Sequence, residues 1–393
     1  MTDTDTDADA ALRGAEPTTV RDALDTGEPL PGTTGFAGAV DGRLVRDVLG
    51  RVPLFVESGA ETDSDPDEPT WSFEPTALEE PTLFPAGTVA PVDDPVAGQA
   101  SRWTLPDPDP ADRDAALEAL DDAIRTATEA AQRDDREIAV AFSGGVDSAL
   151  VAELLDAPLY VVGFPDSHDV EAARTAADAM GRDLTVIELE PVDLERAVPE
   201  VARATGRTNA MDVQIALPLS LVGERVAADG FDALAVGQGA DELFGGYEKV
   251  VRLDHRVDAE TVRGAVREQI RSLPDQLPRD VLTIEATGLA PVAPFLHDAV
   301  VEAALRLPDE LLADEERRKR GFRQVAAWYL PDEVAHRDKK AVQYGSLVAR
   351  ELDRLARQAG YKRRMDDHVG KYVASLLADG DAPEPVGADA DGE

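Results

Sequence analysis

Glu137-Ile138-Ala139-Val140-Ala141-Phe142-Ser143-Gly144-Gly145-Val146-Asp147-Ser148 is the stretch around which the rest of the chain is read. Ile138–Phe142 is a short apolar run, partly β-branched, the form of a strand buried on both faces. A small-residue turn follows at once, and then the helical pattern Ala149–Leu155. Strand, glycine turn and helix N-terminus together present free backbone N–H groups and the positive end of a helix dipole. Two glycines allow close approach of a phosphate, and Ser143 and Ser148 add hydroxyl donors. Asp147 would repel that phosphate unless a divalent cation lay between them, which suggests Mg²⁺. An ordinary strand–helix turn could carry Ser-Gly-Gly alone; the six residues Ser143–Ser148 in this context favour a nucleotide phosphate site.

Further along, Leu159–Gly163 reads as a second buried strand and Val170–Met180 as a helix closed by Gly181. Leu184–Leu189 is a third strand, Leu194–Thr205 and Val213–Asp229 are helical, and Ala233–Val236 is a fourth strand. Strands alternating with helices at this spacing predict an α/β fold with a doubly wound parallel sheet. The fourth strand runs into Gly237-Gln238-Gly239-Ala240-Asp241-Glu242-Leu243-Phe244-Gly245-Gly246-Tyr247. Ligands of open α/β sheets bind beyond the carboxyl ends of the strands, where the strand order reverses. If the first and fourth strands are neighbours, Asp147 and Asp241 face each other across that crevice. Two facing carboxylates are costly without a cation between them, again pointing to Mg²⁺ on a polyphosphate.

Composition narrows the alternatives. The 393 residues carry 79 acidic against 39 basic side chains, a net charge of −40, and only six of the basic residues are lysine. Such a surface repels nucleic acid and anionic membranes, so neither is expected as a partner. The acids are spread over every predicted helix, as in proteins that stay soluble in concentrated salt, where screening relieves self-repulsion. A halophile's cytoplasmic protein is the expectation. With no cysteine there can be no disulfide, thiolate metal site or thiol catalysis. No apolar run has the length of a membrane span, and the first ten residues lack the features of a signal peptide.

Residues 1–29 are Asp/Thr-rich and are expected to be a disordered acidic tail, as is 379–393. Residues 30–105 read as a small β-rich domain. Phe36–Val40 and Val52–Val56 are its strands, Asp41-Gly42 a hairpin turn, and Gly59–Pro69 an acidic loop insertion. Pro106–Pro110 is a stiff linker, and Asp112–Arg133 has the spacing of an amphipathic helix. It opens the main domain, residues 106–378.

Ser143–Ser148 resembles the pyrophosphate-binding loop of the ATP pyrophosphatases, which include asparagine, GMP, NAD and argininosuccinate synthetases. The Gly237–Tyr247 stretch is similar to the second signature of the asparagine synthetase family. Gly288–His297, Leu307-Pro308, Lys319-Arg320-Gly321-Phe322-Arg323 and Asp338–Ser346 resemble its later segments. In the N-terminal part, Arg46-Asp47-Val48-Leu49-Gly50-Arg51-Val52-Pro53-Leu54-Phe55 and Phe84–Thr88 are similar to pieces of that family's glutaminase half. The resemblance implies cleavage of ATP to AMP and pyrophosphate, with a carboxylate, most simply that of aspartate, activated as an adenylate and then amidated. ATP is expected along Phe142, Ser143, Gly144, Gly145, Val146, Asp147 and Ser148, with Val162, Val236 and Gly237 beside it. Asp147 and Asp241 are expected to hold Mg²⁺, and Lys340 or Lys339 to meet the leaving pyrophosphate. The family's glutaminase nucleophile is a cysteine, so residues 30–105 are expected to be a shrunken, inactive remnant and ammonia the nitrogen donor.

The departures lie on the acceptor side. Gln238 stands where the family's asparagine synthetases carry an acid, and glutamine cannot take a proton near neutral pH. Ala290, Val292 and His297 replace the acid, arginine and aspartate of the family's downstream motif. Glu242 is the candidate proton acceptor in place of the lost acid. A ligase for another acid and amine, or a nucleotide-binding regulatory protein, stays open beside asparagine synthesis, and a homodimer is allowed for.

Overall fold

The computed structural model describes residues 12–58, 70–133, 135–252, 259–314, 317–337 and 345–380. The acidic insertion Gly59–Pro69, the lysines Lys339 and Lys340, and the closing segment 381–393 lie outside the described residues.

The alternation of strands and helices gives the expected parallel sheet. Its five strands run in the spatial order Leu184–Glu188, Leu159–Gly163, Ile138–Ala141, Ala233–Ala235, Ala290–Val292. Every pairing is parallel, and Ile138, Ala139 and Val140 sit opposite Ala233, Leu234 and Ala235. The first and fourth predicted strands are therefore neighbours, and the chain reverses its direction of winding between them. The fifth strand was not anticipated. Ala290-Pro291-Val292 is too short and too poor in β-formers to announce itself, and it exists because the sheet edge at Ala233–Ala235 pairs it.

Period-two alternation divides the core into two layers. Val140, Ala233 and Ala235 face helices Arg113–Ala131, Val146–Leu155, His168–Met180 and Asp298–Leu305. Ala139 and Leu234 face Pro191–Thr205, Ala210–Ala228, Val348–Gln358 and His368–Gly380. Arg113–Ala131 buries Ala116, Leu117, Leu120, Ala123, Ile124 and Ala127, the stripe its spacing predicts.

The N-terminal unit is built on an antiparallel sheet ordered Leu12–Arg13, Ala37–Val40, Arg43–Arg46, Thr88–Pro91, Ala100–Ser101. A three-stranded sheet accompanies it, with Phe55–Glu57 between Trp71–Ser72 and Pro81–Leu83. The Asp41-Gly42 turn forms as expected, with φ values of 47° and 71° joining the paired residues Val40 and Arg43.

One expectation fails here. Residues 12–29 are not a disordered tail: Leu12–Arg13 adds a strand and Pro17–Thr26 is a helix. Val20, Ala23 and Leu24 form one apolar face, buried with Phe36, Val40 and Trp103. The Trp103 ring meets Phe36 edge-on at 5.4 Å, and its indole N–H donates to the Ala23 carbonyl. Three apolar residues at helical spacing, with Pro17 at the helix start, outweigh the acidic composition that suggested disorder.

Candidate active site

The sheet's switch point opens into a cleft of about 500 Å³. Phe142, Ser143, Val146, Asp147, Ser148 and Val162 line it from one side; Val236, Gly237, Gln238, Asp241 and Glu242 line it from the other. The two predicted loops thus meet in one site. Tyr160, Ile215, Pro218 and Leu219 form an apolar wall, whereas Gln276, Arg279, Asp280 and Tyr247 make a polar end.

Helix Val146–Leu155 starts directly from the turn, and no side chain caps its first N–H groups. They are therefore available to an anion. The serines close the turn on itself: the Ser143 N–H donates to Ser148 Oγ at 3.2 Å, and Ser148 Oγ donates to the Gly145 carbonyl at 3.3 Å. Gly144 has φ +69°, and a Cβ there would stand 2.5 Å from the Ala172 carbonyl oxygen. Its absence lets helix His168–Met180 pack against the turn, a role the sequence did not reveal.

Asp147 and Asp241 do face each other, and the cation between them is an ammonium. Lys319 Nζ donates to Asp147 Oδ1 at 2.8 Å and lies 2.6 Å from Asp241 Oδ1. Lys319 is 4% exposed. Its backbone is left-handed (φ 55°, ψ 42°) at the start of helix Arg320–Ala326, a conformation costing a lysine roughly 1–2 kcal/mol. Burial alone would lower its pKa, but the two carboxylates outweigh that and hold it above the ordinary lysine value. Sequence reasoning quoted Lys319 within a motif yet gave it no role. The signal was present: a lysine is rare in this chain, and two acids needed a cation.

The carboxylate pair also suits Mg²⁺. Both groups are hard oxygen donors on opposing loops, and Mg²⁺ is commonly held by one or two carboxylates with phosphate oxygens and waters completing its shell. Among the described residues no group of three or more acidic or histidine side chains could form a protein-only metal site. A Mg²⁺ held by these two carboxylates would take its remaining ligands from phosphate oxygens and water.

Glu242 is 6% exposed and accepts a hydrogen bond from the Tyr247 hydroxyl. Burial raises its pKa, the hydrogen bond opposes that, and neighbouring Asp241 raises it further, for a net increase. Gln238 is not isolated. Its side-chain amide donates to Asp280 Oδ2 at 2.5 Å. Arg279 pairs with Asp280 at 2.7 Å and with Asp212 at 2.9 Å, and Arg207 reaches Asp212 at 3.0 Å. The carboxylate at this end of the cleft therefore comes from helix Leu273–Glu285, which carried no recognised motif. A glutamic acid at 238 would meet Asp280 carboxylate to carboxylate, so the glutamine that departs from the family's acid suits this pocket.

Lys339 and Lys340 lie outside the described residues, but the chain on either side is anchored near the cleft. Arg337 donates to the Ala172 carbonyl at 2.9 Å, and the Phe164 N–H donates to the Ser346 carbonyl at 3.2 Å.

A family model described as asparagine synthase matches residues 119–282 and 254–378. The chain is 29% identical over 302 residues to a putative glutamine-hydrolyzing asparagine synthetase of Methanocaldococcus jannaschii, covering 67% of this chain and 56% of that one. It is 25% identical over 270 residues to a nodule asparagine synthetase of Pisum sativum, covering 62% and 43%. Asparagine synthetase B of Escherichia coli is 23% identical over 257 residues, covering 60% and 45%. The chain thus spans about half the length of the curated relatives it matches. Among the described residues, no helix is long and apolar enough to cross a membrane.

Proposed function

Given that the chain belongs to the asparagine synthase family, we propose that it is an ATP-dependent, AMP-forming carbon–nitrogen ligase. The carrying observation is the pair of loops at the switch point, joined by the Asp147–Lys319–Asp241 bridge. ATP lies with its phosphates at the Ser143–Ser148 turn and its base toward the apolar wall that includes Val162 and Tyr160. A substrate carboxylate, most simply the β-carboxylate of aspartate, attacks the α-phosphorus and the bond to pyrophosphate breaks. Ammonia then attacks the acyl carbon, AMP leaves, and the amide forms with release of a proton.

Lys319 stands where negative charge builds on the departing pyrophosphate, and its raised pKa keeps it cationic at working pH. Lys340, or Lys339, joins it from the late segment. Asp147 and Asp241 would hold Mg²⁺, which when bound neutralises part of the polyphosphate charge. Gln238 orients the acceptor by hydrogen bonding, and Glu242 receives the proton released in amide formation.

The N-terminal unit is a degenerate glutaminase-like module. With no cysteine in the 393 residues, it offers no thiol to attack glutamine. The acid excess supports function in the salt-rich cytoplasm of a halophile. The Gln238–Asp280 bond favours one variation on this reading, a different acid or amine at the same centre. Purified protein in molar KCl, given ATP, Mg²⁺ and aspartate, should release AMP and pyrophosphate with ammonium and not with glutamine. Amide formation from glutamine would overturn the inactive-module reading. Turnover with another acid and none with aspartate would select the variation.

A further inference from the structure

The N-terminal unit contributes two arginines that face away from solvent and toward the synthetase half. Arg46 is 0% exposed and Arg51 is 4% exposed. Arg46 donates to the carbonyls of Val52, Phe84 and Gly50 within its own unit, and its Nη2 reaches across to the Pro274 carbonyl at 3.3 Å. Arg51 donates to Asp47 Oδ1 at 2.8 Å, and its Nη1 reaches the Leu296 carbonyl at 2.7 Å and Asp298 Oδ1 at 2.6 Å. Asp298 is also held by Thr33, whose N–H donates to Oδ2 at 2.7 Å. Arg51 thus sits between two carboxylates, Asp47 and Asp298, whereas the Arg46 guanidinium spends its donors on backbone carbonyls.

The synthetase elements it grips are those that build the polar end of the cleft. Pro274 lies in the first turn of helix Leu273–Glu285, which carries Gln276, Arg279 and Asp280. Leu296 lies against the second loop: a Cβ on Gly239 would stand 2.5 Å from Leu296 Cδ2, and Gly239 has φ +88°. Gly239 directly follows Gln238. No described residue of the Ser143–Ser148 turn takes part in the arginine contacts. A buried ionic cluster contributes little net stability compared with apolar packing, but it fixes geometry, because every misplacement leaves a charge unpaired.

We propose that Arg46 and Arg51 are positioning residues for the acceptor end. In this view the N-terminal unit is a brace that sets where Gln238 and Asp280 stand, rather than a packing remnant. The kinetic part of the inference rests on the ligase reading; the structural part does not.

The test uses the full chain with Arg46→Met, which frees Pro274, and with Arg51→Met and Asp298→Asn, which free Leu296. Hydrogen exchange is measured over residues 237–246 and 273–280, with 143–155 as the internal reference. Local opening tracks the free energy of the contacts that hold a segment, so exchange should rise about tenfold or more in the first two segments and stay unchanged in the third. In ATP–pyrophosphate exchange, the KM for the acid should rise about tenfold while that for ATP stays within about twofold, the signature of an effect confined to acceptor binding. A uniform rise across all three segments, or no change in any, would overturn the brace. Should Arg51→Met fail to fold, Thr33→Val removes the hydroxyl contacts to Asp298 and to the Gly35 N–H, leaves the backbone bond to Asp298 in place, and carries the same comparison between segments. Absence of exchange activity in the wild type with every acid would sink the ligase reading, and hydrogen exchange would still decide the brace.

Discussion

At the phosphate end of the cleft, six consecutive residues make the turn, start the helix and supply the aspartate. At the acceptor end, Gln238 and Asp280 are 42 residues apart, Arg279 leans on Asp212, and the supporting helix is gripped by Arg46 of the N-terminal unit. The turn at the first end is local, although Lys319 pairs its aspartate across the cleft, so a single substitution there strikes the proposed nucleotide site. The second is assembled from distant segments, so its chemistry can be altered by substituting one partner while the nucleotide end stays intact. On the ligase reading proposed above, such a division would let adenylation persist while the acid that is adenylated changes.

The sharpest way to break the comparison is Lys319→Met, because this lysine spans the two loops. Removing it leaves Asp147 and Asp241 facing each other without the ammonium that bridges them. Loss of one member of a buried ion pair costs about 3–5 kcal/mol. Loss of a preorganised charge at the leaving group costs about 10²–10³ in rate. Thermal unfolding and ATP–pyrophosphate exchange should therefore both fall; a folded variant with normal exchange would show that the bridge is structural alone. The pH dependence has a definite sign. Lys319's folded pKa lies above its unfolded value, so its stabilisation is complete below about pH 10.4 and is lost as pH rises through the raised folded pKa.

Asp147→Asn and Asp241→Asn separate stability from catalysis at the phosphate end. The Asp147 side chain is 6% exposed and that of Asp241 is 43% exposed, although both meet the same ammonium. Both variants should lose Mg²⁺-dependent exchange by about 10² or more. Only Asp147→Asn should also lower the melting temperature, since exposed pairs contribute about 0–1 kcal/mol. Near-normal exchange in either would separate the two loops functionally.

At the acceptor end the expected effects are smaller. Gln238→Glu places a second carboxylate against Asp280 and should lower activity and stability together. Adding Asp280→Asn restores a donor opposite the new acid, so the double variant should recover, with a coupling energy of about 1 kcal/mol or more. Additive effects of the two substitutions would mean that the Gln238–Asp280 bond does not organise the pocket.

The pattern of what could be read from sequence follows the same division. Ser143–Ser148 and the sheet around it were legible because the necessary residues are contiguous and their periodicity is strong. The facing of Asp147 and Asp241 was legible only on the condition that the first and fourth strands are neighbours, which alternation does not decide and the pairing of Ile138–Val140 with Ala233–Ala235 supplies. Lys319 was visible as a residue but not as a partner, since it is 172 positions from Asp147. Asp280 and Arg279 sit in a helix whose sequence shows an amphipathic pattern and nothing more. Helix Pro17–Thr26 was hidden by its acidic neighbours, because composition speaks for a whole segment and burial depends on three side chains.

The most direct test of the ligase account is ATP–pyrophosphate exchange by the wild-type protein in molar KCl, run across a panel of carboxylic acids with Mg²⁺ present. The account predicts exchange that appears only when one acid, aspartate first among the candidates, is supplied. Binding of nucleotide without exchange for any acid would contradict it and leave the cleft as a regulatory nucleotide site.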